Sequence, residues 1–207
     1  MASRSVYIAS LALGLLGGCG GLSPVSSTSD AVLYDFGPMT AGKPVQGLSQ
    51  SLLVYDVNVP GWLDSPFIYY RLAYQDAARP QAYADSRWVG SPADLIGGRI
   101  RARLAAAGKG GIVHPADGTR ASYALRVELD EFMQVFDAPG KSRAVVRLRA
   151  SVLGKNALIA QKSFGAERAA GTPDAEGGVR ALIAASDEAL EQLVTWTVAS
   201  LKDQAVQ

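Results

Sequence analysis

Apolar and polar positions along the chain fall into two periodicities, and their order predicts the architecture. Ala31 to Phe36 reads as a short apolar strand ended by Gly37-Pro38. After a polar connection through Ala41 to Pro44, Leu52 to Val59 alternates. Leu53, Tyr55, Val57 and Val59 share one face, and Val54, Asp56 and Asn58 the other, as in a half-buried strand. Pro60-Gly61 stops it. Phe67 to Tyr74 is a third strand with aromatics on both faces, and Tyr83 to Val89 a shorter fourth.

A helix follows. Ser91 is placed to cap it, Pro92 takes the first position, where its missing donor costs nothing, and Asp94 completes a capping box. Ile96, Ile100 and Leu104 recur at a spacing of four on one face. Gly97-Gly98 opposes the helix by about 0.8–1 kcal/mol per glycine, so the glycines either allow close packing on a sheet or mark a short helix. Gly108 to Gly111 ends it.

Ile112-Val113 can form a short strand. From Ser122 to Phe136, Tyr123, Leu125, Val127 and Leu129 oppose Arg126, Glu128 and Asp130. The alternation then slips at Asp130-Glu131, which predicts a β-bulge or a twist of the strand off the core. Pro139-Gly140 turns the chain, and Arg143 to Leu153 puts Ala144, Val146, Leu148, Ala150 and Val152 inward, with Arg143, Arg147 and Arg149 facing water or a partner. Asn156 sits in the next turn and Ala157 to Phe164 is the last strand. Gly171 to Gly178 reads as a loop, and Val179, Leu182, Ile183, Ser186, Leu190, Leu193, Val194 and Leu201 stripe a long amphipathic helix. Strands, helix, strands, helix, joined mainly by short turns, define an α+β fold: two layers, a mainly antiparallel sheet with two helices packed on one face.

The first residues do not belong to that domain. Met1 to Arg4 is short and positive, Val6 to Leu16 is apolar but for Ser10 and Gly14, and small residues lead to Cys19. These are the parts of a signal peptide, and the run is shorter than the roughly 20 residues a membrane-spanning helix needs. Leu16-Gly17-Gly18-Cys19 resembles a lipobox, which implies lipidation of Cys19 and cleavage before it. Residues 1–18 are then signal peptide, 19–30 a lipidated flexible tether rich in small and polar residues, and 31–207 a single domain. With one cysteine, no disulfide can form within the chain. Cleavage removes Arg4, leaving 19 basic against 19 acidic residues, so no charge excess points to nucleic acid.

Candidate chemistry is sparse. His114, the only histidine, stands beside Pro115 with no cysteine or second histidine to share a zinc ion, and reads as an isolated surface imidazole. No serine lies in a Gly-x-Ser-x-Gly elbow, and the Gly108 to Gly111 run lacks the phosphate-cradling pattern. Asp56, Asp85, Glu128 and Asp130 have no spacing that forces a pair. No catalytic, cofactor-binding or metal-binding residue is assigned. Tyr55, Trp62, Phe67, Tyr69, Tyr70, Tyr74, Tyr83 and Trp88 form an aromatic group that is either core and turn packing or a binding face.

The stretch Asn58-Val-Pro-Gly-Trp-Leu-Asp-Ser-Pro-Phe-Ile-Tyr-Tyr-Arg71 resembles the auxiliary lipoproteins of ABC-type transport systems, in which a strand ends in proline, a Tyr-Leu-Asp turn follows and the next strand reads Ile-Val-Tyr-Arg. Trp62 stands where tyrosine is usual and Tyr69 where an aliphatic residue is. Arg87-Trp88 before the helix, Arg126 to Phe132, Phe164 and the closing helix also match in kind and order. The resemblance implies a non-enzymatic accessory that docks the MCE-domain protein of a lipid transporter, as in the paraquat-inducible intermembrane system. It further implies a lipid-anchored place on the periplasmic face of the outer membrane, because Gly20, not aspartate, follows Cys19. Homo-oligomers are compatible with it. Possible partner-binding residues are Trp62, Asp64, Tyr69, Tyr70 and Arg71, with Trp62 either docking a partner or folding back to cap the sheet. Two other readings stand beside it: a chaperone or pilot lipoprotein of another outer-membrane machine, and a periplasmic hydrolase.

Cys19→Ser should abolish incorporation of labelled palmitate and release the protein from membranes while leaving the domain folded. Palmitate labelling that persists in this variant would contradict the lipobox.

Overall fold

Residues 30–39, 45–155 and 157–204 are described by a computed structural model. The expected signal peptide, Cys19, the expected tether as far as Ser29, the connection at 41–44 and Asn156 lie outside the described residues. The elements run β1 (Val32–Tyr34), β2 (Leu52–Val54), β3 (Phe67–Leu72), β4 (Pro80–Trp88), α1 (Pro92–Ala106), β5 (Ile112–Val113), β6 (Tyr123–Ala138), β7 (Lys141–Leu153), β8 (Leu158–Ala169) and α2 (Ala175–Gln204).

The long strand β6 organises the sheet. One of its edges pairs antiparallel with β7, which pairs antiparallel with β8. Its other edge is shared by two segments running parallel to it: β2 beside Tyr123 to Leu125, and β3 beside Gln134 to Phe136. Between them Asn58 bridges Glu128. The chain therefore follows β6 from Leu52, leaves it after Asn58 and returns at Tyr70. Pro60 and Pro66, which cannot donate to a ladder, both fall in that excursion. β4 pairs antiparallel with β3, β1 parallel with β4, and β5 parallel with β2. The expected two-layer α+β architecture is the one found, with a more mixed sheet than short turns alone imply. The hairpins give the antiparallel pairs, and the longer returns, which no turn residue announces, give the parallel ones.

The register of β6 and β7 shifts between Leu129 and Glu131. Asp130 is thus an extra residue in β6, a bulge where the alternation slips. Leu125, Val127 and Leu129 before it and Phe132 after it all enter one core. Both helices cover that face, with Ile96, Ile100 and Leu104 of α1 and Leu182, Leu190 and Leu193 of α2 fully buried. Burial of each such side chain contributes about 1.5–3 kcal/mol. Ser91 caps α1, accepting from the Asp94 amide at 3.2 Å. The buried Arg99 donates to Asp187 at 3.2 Å, to the Gly37 carbonyl at 2.9 Å and to the Phe36 carbonyl. Arg103 donates to the same Asp187 at 2.7 Å. Two arginines of α1 are thereby tied to α2 and to the segment after β1.

Several boundaries differ from the expectation. The strand expected from Leu52 to Val59 is regular only to Val54, because beyond it the chain meets β6 only through the Tyr55 amide, which donates to the Leu125 carbonyl at 3.1 Å, and at Asn58. β4 starts earlier, at Pro80, and β8 continues to Ala169. α2 begins at Ala175, inside the stretch expected to be a loop. Gly177 and Gly178 lie in its first turn because space demands it: a Cβ on Gly178 would collide with Gln134 Oε1, and one on Gly177 with Thr172. Asp174 caps the turn, accepting from the Gly177 amide at 2.8 Å and the Thr172 hydroxyl at 2.7 Å. Those two hydrogen bonds hold its carboxyl below the usual range. In α1, Gly97 is the glycine that packs closely, with Val57 3.6 Å from where its Cβ would lie, whereas Gly98 faces open space.

Gln134, fully buried, accepts from the Tyr83 hydroxyl at 2.7 Å and donates to the Ser142 hydroxyl at 2.8 Å. Burial first, then nearby Tyr70 and Asp174, push the Tyr83 pKa well up, so this relay stays neutral. Gly178→Ala should cost about 1–3 kcal/mol by overpacking. The penalty should shrink in a Gln134→Ala background, as denaturant unfolding of the double-mutant cycle would register. Leu190→Ala, mid-stripe on α2, should cost about 2–5 kcal/mol; a negligible loss would misplace the buried face of α2.

Candidate functional site

The helices cover one face of the sheet, and side chains of alternating parity leave through the other. Because Ile68 and Phe132 are in the main core, Phe67, Tyr69 and Arg71 of β3 and Glu131 and Met133 of β6 take the helix-free side. There Met133, Val135 and Val145 form a second, smaller apolar cluster with Tyr69 and Ala73 packed on it. Beside it runs an open groove of about 690 Å³ whose lining includes Trp62, Arg71, Glu131, Met133, Arg147 and Gly165.

Trp62 stands on a single 3-10 turn, Gly61–Leu63, between the two prolines. Leu63 of that turn is fully buried and pins it to the core, whereas Trp62 keeps 38% of its surface exposed. Its indole meets the Tyr69 ring edge-on at 5.1 Å. The hydroxyls of Tyr69 and Ser65 lie 3.3 Å apart, and Ser65 also donates to the Trp62 carbonyl at 3.4 Å. Phe67 continues the aromatic row, 6.1 Å from Tyr69, with the Arg87 guanidinium 4.5 Å above its ring.

Charges of both signs alternate from the groove outward along this face. Arg71 approaches Glu131 at 3.8 Å, Arg147 reaches Glu131 at 3.5 Å and Glu167 at 3.4 Å, and Arg143 joins Glu167 at 2.9 Å to Asp137 at 3.0 Å. The arginines expected to face water or a partner do leave the helix-covered side. Exposed pairs of this kind contribute about 0–1 kcal/mol each, so their consequence is a patterned surface more than a stable fold. Arg71 Nε is buried without a hydrogen-bond partner among the described residues.

Of the five residues singled out in the sequence, the structure gathers Trp62, Tyr69 and Arg71 on this face. Tyr70 has the opposite parity: its hydroxyl donates to Gln81 at 3.1 Å and its ring lies 4.6 Å from Tyr83. Asp64 is exposed at the end of the turn, outside the groove lining. Glu131, Met133 and Arg147 are site residues that motif reading passed over. Arg147 is signalled in the sequence only by lying opposite the apolar alternation of β7, and Glu131 and Met133 only by the slip at Asp130, which turns them to the helix-free side.

His114 is not isolated. Its Nδ1 accepts from the Ala116 amide at 3.2 Å, capping the turn Pro115–Asp117, and its Nε2 lies 2.9 Å from Asp56. With both ring nitrogens engaged, neither is free to take a serine proton. Among the described residues no group of histidine, cysteine, aspartate and glutamate could hold a metal ion, and no helix is long and apolar enough to cross a membrane.

This chain belongs to the family of ABC-type transport auxiliary lipoprotein components, whose family model matches residues 34–196. The crystal structure of a Xanthomonas campestris protein of the DUF330 family superimposes with a TM-score of 0.77 over 86% of this chain and 100% of its own, at 20% identity. A second crystal structure, of an uncharacterized protein, gives 0.61 over 80% of this chain and 97% of its own, at 15% identity. At those identities the likeness is one of fold. A comparison with curated proteins gives no match.

Trp62→Ala removes one exposed edge-on aromatic contact and should lower stability by about 0.5–1.5 kcal/mol. A loss of several kcal/mol in denaturant unfolding would show that Trp62 caps the sheet instead of presenting its ring.

Proposed function

We propose that this protein is a non-enzymatic accessory of an ABC-type lipid transport system, anchored through lipid on Cys19 at the periplasmic face of the outer membrane. Its open sheet face docks the MCE-domain component that reaches across the periplasm. Family membership supports the association with ABC transport, and Gly20 after Cys19 supports the membrane assignment. The observation that carries the docking site is the convergence of Trp62 and Arg71 on one groove of the helix-free face, with Tyr69 packed edge-on against Trp62.

Aromatic and arginine side chains dominate the energetics of protein interfaces when a central contact excludes water. Trp62 and Tyr69 offer broad rings whose positions are fixed before binding, by Pro60, Pro66 and the buried Leu63, so little side-chain freedom is lost on docking. Arg71 and Arg147 set against Glu131 and Glu167 favour a partner of complementary charge order and select its register.

The test is capture of the MCE protein encoded beside the ABC permease. Trp62→Ala and Arg71→Glu should each weaken capture by about tenfold or more with only a small change in melting temperature. Unchanged affinity in both variants would remove the groove from the interface. Failure of the unaltered protein to capture any MCE component, with capture of a secretin or barrel protein instead, would favour a pilot of another outer-membrane machine.

A further inference from the structure

Exposed large apolar side chains are unevenly distributed among the described residues. Val32 and Leu33 of β1 are 54% and 64% exposed and Val89, just after β4, is 57% exposed. Leu33 and Val89 are neighbours in space, whereas Val32, in register with the buried Ser86, points to the other side of the sheet. Leu33 pairs with Arg87, and the Val89 amide donates to the Tyr34 carbonyl at 2.8 Å. Phe67, 37% exposed, pairs with Arg87 from the other side. Single exposed apolar residues need no explanation, but a contiguous group at a sheet edge marks a surface that something covers. Leu158, 57% exposed, lies on β8, at the opposite edge of the sheet.

We propose that this β1–β4 corner rests on the surface of the lipid bilayer, an inference that depends on the lipid-anchor reading of Cys19. The described chain starts at residue 30, immediately before β1, so the anchored end of the protein joins the domain at this corner and no other. The residues from Gly20 to Asp30 span at most about 3.3–3.6 Å each, which keeps the corner within a few nanometres of the membrane. Tethering at that distance raises the local concentration of lipid enough for weak contacts to form. Arg87 lies within the patch, its guanidinium over Phe67 and donating to the Ser86 carbonyl at 2.7 Å and to the Tyr83 carbonyl. A guanidinium stacked on an apolar ring suits the headgroup layer, with its stem in apolar surroundings and its charge near phosphate. Asp30 and Asp35 flank the patch, so the surface recognised is a zwitterionic bilayer and not an anionic one. This contact would hold the groove at Trp62 and Arg71 at a fixed angle to the membrane.

The experiment places an environment-sensitive fluorophore on a single free cysteine at one of three positions, Leu33→Cys, Val89→Cys or Leu158→Cys. The lipidated protein, whose Cys19 thiol is blocked, is reconstituted in phosphatidylcholine–phosphatidylethanolamine vesicles containing a lipid with a quencher at shallow depth. The label at 33 or 89 should be quenched several-fold more strongly than the label at 158. Equal quenching at all three positions would overturn the contact. A parallel arm replaces Cys19 by serine and tethers the same variants through an N-terminal histidine tag on vesicles with a nickel-chelating lipid. If palmitate labelling shows that Cys19 carries no lipid, the anchor reading fails, while quenching in the histidine-tethered arm still decides whether this corner meets the bilayer. Quenching of the label at 89 that disappears when Leu33 is changed to aspartate, in a protein of unchanged melting temperature, would tie it to this apolar corner.

Discussion

The backbone of β6 presents 16 residues of donors and acceptors along two edges, and buried peptide groups left unpaired are costly. One edge is satisfied by β7 over nearly its whole length. The other is satisfied piecewise, by β2, by the single bridge at Asn58 and by β3. That division fixes both ends of the excursion from Val59 to Tyr69. The turn carrying Trp62 is therefore held by the strand it leaves and the strand it rejoins, with Leu63 pinning it from beneath. A feature that looks like a surface loop in sequence is, for this reason, a rigid wall of the groove.

The bulge at Asp130 lies opposite the same excursion and completes the geometry. Without an extra residue, Phe132 and Gln134 would emerge on the helix-free side and Met133 would enter the core. With it, the helix face stays continuously apolar, apart from the neutral Tyr83–Gln134–Ser142 relay, and Glu131 and Met133 come to line the groove. The layers then divide the work. α1, α2 and the arginine–aspartate contacts at Asp187 close one face, where burial supplies stability, and the other face is left with exposed charge pairs that contribute little to folding but give a patterned surface.

Sequence periodicity carried much of this. The stripe of α2, the capped start of α1, the outward arginines of β7 and the slip at Asp130 are all local consequences of side-chain burial, so they show in the order of residues. The parallel pairings are not local. Nothing between Leu52 and Val59 states that only Asn58 returns to β6, and two glycines before Val179 read as a loop because the reason for them, Gln134 beneath the helix, is distant in sequence. The candidate site was legible to the same extent. Two prolines around an aromatic marked the turn, but Tyr69 and Tyr70 could not be told apart until Ile68 was seen in the core, which sends Tyr69 to the helix-free side against Trp62 and Tyr70 to the opposite side. His114 was misread because its partner, Asp56, is remote in the chain.

The division between a closed face that folds the protein and an open face proposed to bind is tested most directly by hydroxyl-radical footprinting of the lipoprotein alone and in complex with the proposed MCE partner. Oxidation should fall on binding at Trp62 and Tyr69, while the partly exposed Trp196 of α2 keeps its reactivity. Protection confined to Trp196 and the outer side of α2, with Trp62 and Tyr69 oxidised as in the free protein, would contradict it.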